Sequence, residues 1–329
     1  VKTLLSPEPR VARAAPSGVL VIDKPQGWTS HDVVMKVRRL LKTRKVGHTG
    51  TLDPLGTGVL PVCVGDATKL AGFAQAADKV YRMTMQLGVA TDTQDSMGEV
   101  IATTPLAEGI DWGARVREQL DARVGIQWQT PPMYAALKVG GEPLYRKARR
   151  GETVERAPRR VHIYAIDDVA LELPYVTFTL ACAKGTYVRT VAADIGEALG
   201  VGAHLTALRR LACGPTTLDE AITLEGLEAA VREGRLEEVL RPDDHLVTDM
   251  PRLNVSEYTA RRIVQGISPH VSEWPAPGGE AATPAGLAPG TMCRVYGERR
   301  GFFALVETTG DPVQPARIRR VVKTRTTTL

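Results

Sequence analysis

Two stretches of strict alternation set the first constraint on this chain. Tyr81, Met83, Met85 and Leu87 are each separated by one residue, and Val176, Phe178, Leu180 and Cys182 repeat the pattern. Successive strand side chains point to opposite faces, so this period commits both stretches to strands. Val161, Ile163 and Ala165 predict another, and residues 18–23 a short buried strand that ends in the turn at 24–27. Helical spacing appears at Val33, Val34, Val37, Leu40 and Leu41, with Ser30 read as the N-cap and Asp32 in the first turn. A second helix is expected from about residue 190 to 199, stopped by Gly200, and further helix near residues 224–240. From about Met250 short strands and turns take over. The expectation is an α+β chain, with long strands and helices followed by a small β-barrel module.

At 329 residues the chain exceeds what one core usually holds, so two domains are expected. Hydrophobic residues at 43% and charged residues at 24% exclude a wholly disordered or fibrous chain. No apolar run approaches the ~20 residues of a membrane helix, and the N-terminus lacks the pattern of a secretory signal. Cys63, Cys182, Cys213 and Cys293 are far apart with no C-x-x-C, which predicts reduced thiols in a cytoplasmic protein. A formal charge of +5, with arginine well ahead of lysine, suggests a polyanionic partner. Residues 1–16 read as a flexible tail, 17–249 as the larger domain, 250–318 as the small one and 319–329 as a second tail. Residues 271–290, rich in Pro, Ala and Gly, read as a mobile loop.

Three segments carry the candidate chemistry. No acidic residue falls between Asp32 and Asp53, while Lys36, Arg38, Arg39, Lys42, Arg44 and Lys45 do. Residues 129–160 form a second basic excursion, with Arg146, Lys147, Arg149, Arg150, Arg156, Arg159 and Arg160, and read as a nucleic-acid-binding arm. Each has a plainer reading as a solvated face. Between them Gly47-His-Thr-Gly-Thr-Leu-Asp-Pro-Leu-Gly-Thr-Gly-Val-Leu60 holds four glycines and one carboxylate. It is not a P-loop, since no Lys-Ser/Thr follows the glycines, and it lacks dinucleotide-fingerprint spacing. His48 has no neighbouring partners for a metal. Two readings stay open: a tight turn capped by Asp53, or a carboxylate presented where glycines let a bulky substrate approach.

Seven segments in order resemble the TruB-type tRNA pseudouridine-55 synthases, the bacterial, stand-alone type. They are residues 18–30 and 47–61, Tyr81-Arg82, the turn at 91–98, Pro132-Met-Tyr-Ala-Ala-Leu-Lys138, Lys184-Gly-Thr-Tyr-Val-Arg189 and residues 202–210. The resemblance implies a mixed, largely antiparallel sheet flanked by helices. It also implies a thumb-like insertion at 129–160 and a C-terminal PUA-type RNA-binding module. The implied reaction isomerises a T-loop uridine: the C1′–N1 bond breaks, the uracil turns, and C1′ rejoins at C5. The family's essential Asp falls on Asp53, with three routes open: a C1′ acylal, addition to C6, or removal of a C2′ proton. Arg189 matches the arginine paired with it, and Tyr81 the tyrosine that stacks on the flipped base and is a candidate to help remove the C5 proton. His48 matches the residue filling the space that flipped bases leave, Leu208 an apolar neighbour of the uracil, and Tyr187 the same site motif. Asp95 matches a carboxylate contacting RNA, and Lys24 a support for the site. Arg149 and Arg150 are expected on phosphates of the tRNA T-arm.

The implied isomerisation needs no cofactor or metal. The expected partner is the T-arm stem-loop of tRNA, bound by a monomer without an obligate protein partner or membrane. Two other readings compete. A guide-RNA-dependent dyskerin-type synthase shares the catalytic motifs but lacks the 129–160 insertion. A non-catalytic RNA-binding or RNA-folding protein on the same fold is opposed by the intact Asp53, Tyr81 and Arg189. A glycosidase-like site would want two carboxylates, and the sequence offers one.

Overall fold

The computed structural model describes residues 15–135, 137–274 and 283–322. The chain runs β1 (Gly18–Lys24), α1 (Ser30–Leu41), β2 (Val46–His48), β3 (Gly56–Val64), α2 (Ala71–Ala74) and β4 (Lys79–Leu87). The hairpin β5 (Val89–Thr91) and β6 (Val100–Thr103), α3 (Trp112–Arg123) and β7 (Gly125–Gln129) follow. The insertion carries β8 (Lys138–Val139), β9 (Glu142–Pro143) and α4 (Leu144–Ala148). Then come β10 (Arg159–Glu172), β11 (Tyr175–Cys182), α5 (Val188–Ala198), β12 (Ala203–Cys213), β13 (Thr216–Thr217), α6 (Leu224–Arg232) and α7 (Leu236–Val239).

These strands make one sheet in the order β1-β3-β12-β4-β11-β10-β7, with β2 joined to β3 and β13 to β12. Every pair is antiparallel except β3 with β12. The alternation of β4 and β11 has a direct cause. Met83, Met85, Leu87, Phe178 and Leu180 pack against α3 and α5 through Val116, Leu120, Val191 and Ile195. β1 and β3 are apolar on both faces because both are covered. Leu20, Ile22, Leu60 and Val62 meet α1 and α6, whereas Val19 and Cys63 meet Ala67, Ala74 and Leu246. The expected helix near residues 224–240 is two helices, broken where Gly234 takes a φ of +74°.

Two expected helix starts move. α1 is capped by Thr29, not Ser30: its side chain accepts from the Asp32 N–H, and the Asp32 carboxylate accepts from the Thr29 N–H. α5 begins at Val188, which brings Arg189 into its first turn.

The C-terminal module differs from the expected barrel. β14 (Arg252–Val255), α8 (Glu257–Val264), β15 (Met292–Gly297), β16 (Gly301–Thr308) and β17 (Ala316–Val321) form a sheet in the order β14-β15-β16-β17. Its outer strands do not pair with each other among the described residues. Both faces are covered instead of closed. α8 and Trp274 pack on Leu253, Val255, Val295 and Phe303. On the other side Phe302, Leu305 and Val322 meet Leu70, Phe73 and Val247 of the larger lobe. β17 runs past residue 319, where the sequence predicts a tail, and Val322 is buried. The N-terminal tail up to residue 14, the centre of the 271–290 loop (275–282) and residues 323–329 lie outside the described residues.

Candidate active site

The loop carrying Asp53 links β2 to β3 and is fastened from several directions. The Ser30 hydroxyl accepts from the Leu52 N–H at 2.8 Å and donates to the Leu52 carbonyl at 3.0 Å. The Gly27 N–H reaches the Pro54 carbonyl at 2.8 Å, and Gly56 closes back on the Asp53 carbonyl at 3.0 Å. Leu52 and Leu55 are buried beneath. The deepest tie comes from Arg210 on β12, which is 0% exposed. Its guanidinium donates to the carbonyls of Val59 (2.6 Å), Thr51 (3.3 Å) and Gly50 (3.2 Å). β3 and β12 lie so close here that a Cβ on Gly58, whose φ is +95°, would sit 2.3 Å from the Arg210 carbonyl. Only glycine fits.

Arg189 fixes the carboxylate from the other side. Its Nε donates to Asp53 Oδ2 at 2.9 Å, and its two terminal nitrogens to the carbonyls of Thr93 (2.7 Å) and Tyr134 (2.8 Å). The Arg189 side chain is 6% exposed and that of Asp53 39%, so the cation is buried while the anion faces outward. Asp95 stands behind them, with Oδ2 at 3.5 Å from Arg189 Nε. Its other oxygen accepts from the Thr93 hydroxyl and the Met97 N–H. Asp95 is therefore turned inward, buried beside Arg189. A buried guanidinium needs this compensation, and Asp95 supplies a second carboxylate for it.

These groups border a cavity of about 370 Å³ lined by His48, Asp53, Lys79, Tyr81, Tyr187, Arg189 and Leu208. Six residues named from the sequence thus line one cavity: Asp53, Arg189, Tyr81, His48, Tyr187 and Leu208. Tyr81 is buried beside Arg210, and burial pushes its phenol up to about 12. Burial, reinforced by Arg210 and His31, lowers the His48 pKa, and its Nδ1 is buried without a partner. Tyr187 caps α5. Its N–H donates to Gln129 Oε1 at 2.8 Å and its carbonyl accepts from Gln129 Nε2 at 3.1 Å, with Arg159 over its ring at 4.9 Å.

Lys24 lies beneath the site. It is fully buried, donates to the Trp28 carbonyl at 2.6 Å and to that of Pro25 at 3.1 Å. Burial lowers its pKa to about 8, against the attraction of Asp53. Arg149 and Arg150 are not in the cavity but at the end of α4. Arg150 is already committed to Glu142 (2.7 and 3.0 Å) and Glu152 (2.6 Å), whereas Arg149 rests over the Tyr145 ring at 5.6 Å.

Three residues at the site escape sequence reasoning: Arg210, Gln129 and Lys79. Lys79 alternates with Tyr81 on β4 and donates to the carbonyls of Gln75 and Ala77. Its position two before a candidate site residue on one strand face was the available signal. Arg210 carried a weaker one, as a charge amid an apolar strand.

The TruB family pseudouridylate synthase N-terminal domain matches residues 38–188, and the tRNA pseudouridylate synthase B C-terminal domain matches 189–248. The chain is 45% identical to the tRNA pseudouridine synthase B of Burkholderia mallei over 316 residues, 96% of this chain and 98% of the relative. It is 49% identical to that of Ralstonia nicotianae over 253 residues, 76% of this chain and 79% of the relative. The archaeal box H/ACA sRNP Nop10–Cbf5 complex is similar in fold, with a TM-score of 0.70 at 23% identity over 94% of this chain and 86% of that one.

Proposed function

From the premise that this chain belongs to the TruB family of pseudouridylate synthases, we propose that it isomerises uridine 55 in the T-loop of tRNA, with Asp53 as its essential carboxylate. The observation that carries the residue assignment is the cavity itself. It presents one carboxylate among the described lining residues, and a buried arginine fixes that carboxylate through Oδ2. Asp53 Oδ1 receives no hydrogen bond among the described residues and supplies the lone pair needed at the glycosidic centre.

The target base must leave its stack, at a cost of a few kcal/mol that contacts with the enzyme offset. Tyr81 and Leu208 receive the uracil, and Tyr187 borders it. His48, held neutral by burial, fills space near the loop. Asp53 acts as the C1′–N1 bond breaks. The uracil turns, C5 bonds to C1′ and loses its proton while N1 gains one, and Tyr81, a phenol kept protonated by burial beside Arg210, is placed to relay that proton through its hydroxyl. Arg189 keeps the carboxylate aimed throughout. Nothing is oxidised and no phosphoryl group moves, so the chemistry calls for neither cofactor nor metal.

The insertion, 129–160, closes on the T-arm. The C-terminal sheet, which begins near 250 and runs on to Val321, serves as a PUA-type module beside the catalytic domain, 17–249. The enzyme works alone as a monomer in the cytoplasm. Identity of 45–49% to tRNA pseudouridine synthase B, against 23% to the Cbf5 structure, supports a stand-alone enzyme. No helix among the described residues is long and apolar enough to cross a membrane.

Incubation with an unmodified tRNA transcript, followed by mapping of pseudouridine, tests the reading. Conversion at position 55 is expected, in the presence of chelator if the RNA is a stem-loop that folds without magnesium. Asp53→Asn should bind RNA and convert none. Substantial turnover by Asp53→Ala would remove the assignment.

A further inference from the structure

The basic face of α1 has no part in the pocket, yet it starts beside the Asp53 loop. α1 buries Val33, Val34 and Val37 and turns Met35 and Arg39 outward, and Lys42, its C-cap, is exposed as well. At its start a groove of about 340 Å³ is lined by Gly27, Trp28, Asp32, Met35, Lys36 and Arg39. Trp28 is 37% exposed and Met35 43%, and the two stand together in this groove instead of singly. The groove is anchored to the candidate site. The Trp28 carbonyl is held by buried Lys24, and the Gly27 N–H by the Pro54 carbonyl next to Asp53.

Its charges are sorted. Lys36 is neutralised by Glu228 at 2.6 Å, and Asp32 Oδ2 is occupied by the Thr29 N–H and hydroxyl. Arg39, Lys42 and Arg44 have no ionic partner among the described residues. An aromatic platform at the head of an unneutralised cationic row fits a nucleic-acid strand: a base has a face to stack, and phosphates lie along the cations. Asp32 Oδ1 adds an acceptor at the groove for a base N–H. A protein partner would need acidic groups to match the row and an apolar anchor for one tryptophan. The strand chemistry accounts for both with one occupant.

We propose that Trp28 and the outer face of α1 form a second RNA-contact surface, on which an unpaired nucleotide of the substrate tRNA stacks on Trp28 while neighbouring phosphates meet Arg39 and Lys42. This rests on the tRNA reading of the pocket. The test measures equilibrium binding of unmodified tRNA transcript across a salt series by the full chain carrying Trp28→Ala, Trp28→Phe or Arg39→Gln with Lys42→Gln. Single-turnover conversion is followed in parallel. Trp28→Ala should weaken binding about tenfold, with Trp28→Phe recovering most of it because a ring face remains. The double variant should flatten the log–log salt slope by up to about 1.5 units. The losses should fall on affinity and not on the saturated rate. Affinity and salt slope like those of the unaltered chain would overturn the surface while conversion continues. Trp28→Phe as weak as Trp28→Ala would overturn the stacking. An unaltered chain that converts no tRNA would instead bring down the reading of the pocket.

Discussion

Arg189 meets an acceptor on each of its three nitrogens, so the donor that holds Asp53 is itself fixed in place. Lysine would keep the charge but lose the fork. Arg189→Lys should therefore lower the single-turnover rate by about 100-fold, a loss of the size seen when a preorganised donor is removed, while tRNA affinity stays within a few-fold. A near-native rate would reduce Arg189 to a packing role. Lys24 allows a test in the other direction. Burial lowers its pKa from the usual 10.5 to about 8, so the folded chain releases this proton more readily than the unfolded one. The penalty for burying the ammonium is full below about pH 8 and is relieved as pH rises towards 10.5. The stability of the native chain minus that of Lys24→Met should rise across this window, by on the order of 3 kcal/mol. Denaturant unfolding at several pH values measures it, and a flat difference would refute it. Asp53 and Tyr81 were legible in sequence because they sit in distinctive motifs. Arg210 was barely so: a charge in a strand can be seen, but not that it will be wholly buried until the register places it against the Gly50 and Thr51 carbonyls.

Among the elements, α5 shows most clearly how packing sets the site. A Cβ on Gly196 would lie 2.1 Å from the Ala203 nitrogen and 2.3 Å from the Gly202 carbonyl carbon. Gly196→Ala must therefore push α5 from β12, at a cost of about 2 kcal/mol, and carry Arg189 with it. Thermal unfolding and activity should both fall, and activity preserved at lowered stability would separate the helix from the site. The insertion invites a different measurement. Arg150 is held by two glutamates, so replacing Arg149 and Arg150 together should flatten the salt slope of RNA binding by about one phosphate contact, not two. A change of two contacts would mean that RNA displaces both glutamates. The alternating strands β4 and β11 could be read directly, because one face is buried and the other is not. The start of α5 could not, since its N-cap is Tyr187, which makes no side-chain cap bond and leaves no signal. Thr29 and Ser30 are both capping residues. Only Asp32, three positions after Thr29, decides between them.

At the scale of the whole molecule, the C-terminal sheet meets the larger lobe through an apolar seam of Leu70, Val247, Phe302, Leu305 and Val322. Leu70 and Phe73 belong to the segment that continues to Gln75 and Ala77, whose carbonyls hold Lys79 at the cavity. Phe302→Ala should cost roughly 3 kcal/mol and also lower the conversion rate, as chemical denaturation with single-turnover assays would show. Lost stability with an unaltered rate would mean that the seam does not reach the cavity. The sequence showed a β-rich end but not its open form, because closure depends on what covers each face and the covering comes from residues far away in the chain. That distance has one more consequence. The Asp53 loop is tied by Arg189 and Arg210 as well as by its neighbours, so three of its restraints come from residues translated more than a hundred positions later. A growing chain on the ribosome therefore exposes the basic α1 long before it owns a working cavity. During synthesis the cationic helix emerges first, and the cavity is complete only once β12 lies beside β3.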